Sequence, residues 1–532
     1  MAWLIPTIIF CAPLTAALWL GISESIDADA WRHLLADSQF PTALRLSLQT
    51  GIVATVIAAV LAIAIITGAH GSPRWRRLTA SVGGMLALPH AALAIGLALL
   101  LMPSGAIARA IALLTGWASP PDIATIQDPN GIALVLALVL KETPFLVWNA
   151  AAQLERAGQG DEIAKQLRIA ATMGYSRRSG WMRVVWPQLL PRLALPLLAV
   201  WAYGLTVVDM ALVLGPTHPP TLAMLAWRWL LDADEAMNRQ GAAAALLLSL
   251  CVAIGACLAL AAWKLSRPSL MSRWTRGDRR AQALHPWPWQ AFIRAAYIAI
   301  VAMLLFISVA GVWTFPSIWP ASWSPQAWQT ALASGATWGT TLGLALASAA
   351  TGVVLAIAWF ETTPAAWDAR AVPFVFAPML IPGVLLVSGL YQLALRTGSD
   401  GSLTGIWLAH SVYAAPYVLV ALAPAYRGFD PRIELTALLL GKRRAAMLWH
   451  VKWPMLRAPI AAAFAVGFAV SVAQYLSTQF VGAGRHATLT TEALTLASGG
   501  QRSLSAAFAL LQAALPALVF LAAHATARRS QA

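Results

Sequence analysis

The chain has 532 residues, 59% of them hydrophobic and 11% charged, with a formal charge of +15. Charged residues make up about 25% of an ordinary soluble domain, so this composition excludes a soluble globular fold. The basic residues sit in short loops between apolar runs, where they orient a membrane protein and meet lipid headgroups, and this excludes nucleic acid as the partner.

In chain order, membrane spans are expected near 3–21, 43–68, 80–103, 131–151, 192–215 and 241–263. They are followed by spans near 293–313, 336–360, 371–395, 404–425, 459–482 and 505–526. The predicted fold class is all-α, a polytopic membrane protein of about twelve transmembrane helices in two parallel six-helix repeats. Only helices or closed barrels satisfy backbone groups in lipid, and these runs are about twice the length of barrel strands. The first run lacks a basic leader and is followed by Ala28 and Ala30; an uncleaved helix is preferred to a cleaved signal peptide, because the half needs six spans. Cys11, Cys251 and Cys257 all fall within apolar runs and suggest neither a disulfide framework nor a metal cluster.

With both termini cytoplasmic, 27 of the 36 basic residues fall on the inner side, whereas Arg32, Arg109, Arg228, Arg239, Arg396, Arg485 and Arg502 fall outside. The excess sets that orientation. An internal repeat is legible as well. The run at 61–65 returns at 355–359, and Pro89 with Gly96 returns as Pro382 with Gly389, at offsets of 294 and 293. Farther along, the offset becomes 267, which implies an insertion of roughly 27 residues in the loop around 104–130. The expected division is 1–263, a linker over 264–292 that is rich in arginine and carries Pro286 and Pro288, and 293–532. Gly335, Gly339 and Gly343 form a face expected to admit another helix closely. Trp313, Trp319, Trp323 and Trp328 read as interfacial anchors.

Two loops between spans are alike. In each, a glycine stands 13 residues before a proline (Gly174 and Pro187, Gly441 and Pro454), with Trp186 or Trp453 just before the proline and Val184 or Val451 three before it. Asp161 and Asp430 are expected to cap short helices. These helices would gather Ile163, Leu167, Ala170 and Ala171 on one face in the first loop, and Ile433, Ala437 and Leu440 on one face in the second. The glycines suit a turn through positive φ. Basic residues follow, Arg177, Arg178 and Arg183 in one loop and Lys442, Arg443, Arg444 and Lys452 in the other. The prolines then separate each elbow from the next span.

The loops resemble the E-A-A, three residues, G, nine residues, I-x-L-P pattern of permease subunits of binding-protein-dependent ABC importers. Ala170, Gly174, Val184, Trp186 and Pro187 carry the match in one copy, and Ala437, Gly441, Val451, Trp453 and Pro454 in the other. The glutamate position holds Arg168 and Leu435, with Glu434 one residue early. Two halves in one chain resemble the thiamine and ferric-iron subgroup. The resemblance implies an inner-membrane importer permease whose loops couple to two copies of an ATPase subunit. Those partners would carry the ATP and magnesium, and a periplasmic or extracellular binding protein would deliver the solute. No phosphate loop GxxxxGK[ST] occurs in the sequence, and no HExxH motif marks catalysis or metal binding, so no catalytic or metal-ligating residue and no cofactor of its own is assigned to this chain.

Ionisable or polar groups within spans become candidates for the solute pathway, here Glu142, Asp209 and Gln474. For Asp209 two readings stand: lining the path, or being solvated or bonded to neighbouring backbone near the outer end. Lys141 is expected to take carbonyls freed by a kink at Pro144. The alternative function is an ion-coupled secondary transporter of six plus six helices; the loop 69–79 carries an arginine pair where the major facilitator pattern would fall, without its aspartate or its glycine spacing.

Overall fold

The computed structural model describes residues 4–155, 159–275 and 289–528. The first part of the chain forms α1 (Leu4–Glu24), α2 (Phe40–Ala69), α3 (Pro73–Ala87), α4 (His90–Leu101), α5 (Ala106–Thr115), α6 (Ile132–Leu154) and α7 (Gln159–Thr172). Next come α8 (Ala194–Thr206), α9 (Asp209–Leu214), α10 (Leu222–Leu230) and α11 (Glu235–Thr275). The rest forms α12 (Trp289–Val309), α13 (Gly335–Thr362), α14 (Asp368–Leu380), α15 (Gly383–Thr397), α16 (Leu403–Arg427), α17 (Pro431–Leu439), α18 (Arg457–Val472), α19 (Leu476–Val481), α20 (Leu489–Ser498) and α21 (Arg502–Arg528).

Among the described residues, 9 helices are long and apolar enough to cross a membrane, or 11 when each sharply bent pair is taken as one span. The 21-residue α1 stands beside them. This is the expected all-α polytopic fold. Exposed Ile52, Val56 and Val60 recur every fourth residue on α2, the spacing of an apolar stripe turned to lipid.

Four expected spans are not continuous. The run near 80–103 is α3 and α4, divided at Leu88–Pro89, and the run near 371–395 is α14 and α15, bent by 99° at Ile381–Pro382. A proline lacks the N–H and pushes the preceding residue out of the helical region. Leu88 and Ile381 accordingly have ψ of 116° and 137°. The runs near 192–215 and 459–482 also break, between α8 and α9 and between α18 and α19, with no proline at the break. Of the expected linker, 264–275 continues α11 and 289–292 opens α12; Pro286 and Pro288 lie outside the described residues.

The first helices are exchanged. α1 packs on α15, and α12 packs on α4. A Cβ on Gly389 would sit 1.8 Å from the Ala17 carbonyl oxygen, and one on Gly96 would sit 2.7 Å from Ile300 Cγ2. Each repeated glycine is thus where a helix remote in sequence crosses, α1 at Gly389 and α12 at Gly96. Among the described residues the expected close face at Gly335, Gly339 and Gly343 does not form, because no atom beyond the helix's own lies within 4 Å of a Cβ built there. The spacing of small residues permits close approach without specifying a partner.

The loop between α4 and α6 is tied to a segment remote in sequence as well. Arg109 on α5 is 2% exposed and donates to the carbonyls of Trp313, Thr314 and Ser317 as well as Ser104. Its guanidinium carbon lies 3.8 Å from the centre of the Trp313 ring. Trp328 donates its indole N–H to Ser308, whereas Trp319 and Trp323 are exposed as interfacial anchors would be.

Candidate functional site

The two elbows share one backbone course. α7 and α17 end at Gly174 and Gly441, whose φ values are 82° and 80°. There Tyr175 N donates to Ala170 O at 3.0 Å and Lys442 N to Ala437 O at 3.2 Å. A side chain would be strained at such φ, which explains the glycines. Four-residue helices Arg177–Gly180 and Arg444–Met447 follow, then π-helical turns Trp181–Val185 and Leu448–Lys452. Pro187 and Pro454 come next, inside the following helical turns rather than ending the helical path. Each proline removes one N–H, and the wide turn before it accommodates that loss.

Side chains refine the expectation. α17 starts as predicted, with the Asp430 carboxylate accepting from Arg432 N. α7 starts at Gln159, so Asp161 lies in its first turn and is not its cap. Ile163, Ala170 and Ala437 are buried, but Ala171 and Leu440 point outward, because the glycine turn ends the helix before either can join the buried face. Met173 (56% exposed) and Leu440 (77% exposed) occupy equivalent places just before the glycines. Ile169, Leu435 and Leu439 are exposed nearby. Basic Arg177, Lys442, Arg443 and Arg444 surround these apolar tips at the surface, while Val184, Val451 and Trp453 are half-buried.

The elbows are anchored by different chemistry. In the first, buried Trp186 donates its indole N–H to Thr67 Oγ1 at 2.9 Å. Trp181 packs edge-on against His70, which also meets Trp75. The Arg178 Nη2 atom is buried without a hydrogen-bond partner among the described residues. In the second, Lys452 Nζ bridges Glu361 and Glu434, Arg444 reaches Glu361 at 3.2 Å, and the Tyr426 hydroxyl donates to Glu361 and accepts from Trp453. Glu434 is therefore turned back into the elbow. Sequence reading missed Glu361 and Tyr426. The available signal was an acid at the end of a span, 294 residues after Thr67.

A second cluster lies deep among the spans. Lys141 Nζ donates to Leu88 O at 2.5 Å and Leu86 O at 3.2 Å. These carbonyls are freed by the break at Pro89, not by Pro144, through which α6 runs on as a helix. Glu142 is 6% exposed and lies within electrostatic reach of Lys141, Tyr203, Tyr297 and Tyr417. Asp209, first residue of α9, accepts from the Tyr203 hydroxyl at 3.0 Å and from Met210 N at 2.9 Å. It is thus bonded to neighbouring backbone, yet it also joins the cluster through Lys141 and Tyr475. Gln474 lies at the break between α18 and α19, where its side-chain oxygen accepts from Ser477; it stands two places from the true counterpart of Asp209, Leu476. The His90 ring meets the Tyr203 ring at a tilt of 50°, their centres 4.8 Å apart.

Broken spans and two surface elbows of one backbone form define a polytopic all-α membrane protein with a repeated surface feature. No family model matches the chain. It is 34% identical over 523 residues, 98% of its own length and 94% of the relative's, to the inner membrane ABC transporter permease protein YnjC of Escherichia coli. It is 26% identical over 216 residues, 38% of its length and 78% of the relative's, to a probable molybdenum ABC transporter permease protein of Haloferax volcanii. The chain belongs to the permease subunits of ABC transporters. It is a multi-pass inner-membrane transport subunit that works with ATPase and solute-binding partners, not an enzyme in its own right, and the ion-coupled alternative is not favoured.

Proposed function

We propose that the chain is both halves of an importer's permease, 1–263 and 293–532, with the elbows and both termini in the cytoplasm. Each elbow docks on one of two ATPase subunits. Their closure on ATP rocks the halves and passes inward a small solute delivered by a periplasmic or extracellular binding protein. Residues 170–187 and 434–454 form the coupling surface, with Glu142, Asp209 and Gln474 at the path between the halves. The observation that carries this reading is the pair of exposed apolar tips, Met173 and Leu440, set at matching places on two elbows where exposed apolar side chains stand among basic ones.

The two-repeat organisation draws support from one hydrogen bond made twice. Ser47 Oγ accepts from Leu222 N at 2.9 Å, and Thr341 Oγ1 accepts from Leu489 N at 3.0 Å. These pairs are related by the offsets of 267 and 294 found in the sequence. The fused arrangement supports, in this proposal, a likeness to the thiamine and ferric-iron permeases.

Gly174→Pro and Gly441→Pro test coupling, because a proline near φ −65° cannot adopt the elbow's turn. Both variants should insert normally and lose ATP-driven uptake. Wild-type uptake in both would overturn the coupling role.

A further inference from the structure

We propose that the groove between α5 and α12 binds one acidic phospholipid, with an acyl chain along the groove and the phosphate beside Arg109. The site is remote from the first elbow, because α6 runs between that elbow and the loop that carries α5.

The groove exists because small residues face one another. Ala106 and Ala110 on α5 and Ala299 and Ala302 on α12 line a space of about 350 Å³. That volume falls in the range of small-ligand pockets, about 300–1,000 Å³. From Ala299, in the middle of the α12 span, to Phe306 near its end, the groove rises about 10 Å along the helix. At that end Phe306, Trp313 and Trp319 form an aromatic wall, with Phe306 5.2 and 6.1 Å from the two indoles. Exposed Ile107, Ile111 and Leu114 make a stripe on α5, the pattern of a helix face turned to hydrocarbon. A soluble partner does not reach the middle of a span, whereas an acyl chain lies there already.

Charge selects the lipid. Arg109 is the one charged residue in the groove lining, and its donors go to neutral carbonyls. Among the described residues no carboxylate pairs with it, and the charged group that acts on it is a second cation, Arg502. Two cations without a counter-charge, at the polar end of an apolar groove, suit a phosphate diester. Lipid tails are as apolar as the groove, so the chain gains only packing and the headgroup carries the preference.

The test uses the purified full chain, stripped of lipid in detergent and titrated with phosphatidylglycerol or with phosphatidylcholine of the same chains. Native mass spectrometry should show one phosphatidylglycerol retained, about fivefold tighter than phosphatidylcholine, the worth of one charge near an arginine. Ala110→Phe and Ala302→Phe, which fill the groove, should each abolish the retained lipid. Arg109→Gln should remove the headgroup preference alone; if that variant does not fold, the two lipids compared on the unaltered chain still decide. Ala302→Cys, in a background carrying Cys11→Ser, Cys251→Ser and Cys257→Ser, should be shielded from N-ethylmaleimide by phosphatidylglycerol and not by inorganic phosphate. No saturable adduct, equal retention of the two lipids, or undiminished retention in both phenylalanine variants would overturn the proposal. Shielding by inorganic phosphate, or by a solute-binding protein in place of lipid, would overturn it as well.

Discussion

Lys452 Nζ lies 2.6 Å from Glu361 Oε1 and 2.7 Å from Glu434 Oε1, so one ammonium, 8% exposed, joins the second elbow to the end of α13. Glu361 also holds Arg444 and the Tyr426 hydroxyl, so its removal leaves Glu434 as the one carboxylate on Lys452 and costs less than the about 3 kcal/mol of a buried charge left wholly uncompensated. Glu361→Ala should therefore loosen 444–456, read as faster amide exchange there and unchanged exchange over 177–189. Glu361→Gln, which can still accept from Lys452 and the Tyr426 hydroxyl, should retain part of the protection. Equal loosening of both elbows would contradict separate anchoring.

Arg109 presents a planar fork to four carbonyls, three of them in the second half. A lysine keeps the charge but cannot reproduce that geometry. Arg109→Lys and Arg109→Ala should both lower the melting temperature of the purified chain, the alanine variant more. Each lost charge-assisted bond is worth about 1.5–3 kcal/mol. Retention of the wild-type melting temperature in Arg109→Lys would show that charge alone suffices.

Gly389 and Gly339 make a matched contrast. A methyl group at Gly389 would run into the Ala17 backbone, whereas at Gly339 it meets nothing within 4 Å. Gly389→Ala should displace α1 and raise protease sensitivity near residues 25–39, and Gly339→Ala should behave as wild type. Equivalent behaviour of the two variants would contradict the exchanged packing.

His70 gives the first elbow a pH dependence. Burial against Trp75 and Trp181, reinforced by nearby Arg177 and opposed by Glu155, holds its pKa below the ordinary 6.5. The folded elbow therefore binds the proton less readily than the unfolded chain does. Its contribution is complete above about 6.5 and is lost as pH falls through the lower folded value. After correction for the intrinsic pH dependence of exchange, amide exchange over 177–189 should accelerate between pH 7.5 and 5.5 (test conditions chosen to bracket about 6.5), and much less so in His70→Gln. An identical acceleration in the variant would remove His70 as the cause.

Much of this was legible in sequence because it is local. Gly174 and Gly441 announce positive φ, Asp430–Pro431 announces a helix start, and Pro89 and Pro382, paired with Gly96 and Gly389, mark a repeated feature. What escaped depends on partners remote in sequence. Nothing in the periodicity of α6 says that Lys141 takes carbonyls from Leu86 and Leu88, and nothing around Pro382 says that the chain bends there by 99°. The apparent helix-packing face at Gly335, Gly339 and Gly343 failed for the converse reason: its composition allows a contact that the fold does not use.

The central claim is that both elbows are the surface on which ATPase subunits act. Met173→Cys and Leu440→Cys, in the cysteine-free background, should each cross-link to the partner ATPase in native membranes, with an efficiency that changes on adding ATP. The account predicts adducts at both positions. ATP-driven uptake continuing with no adduct at either one would contradict it.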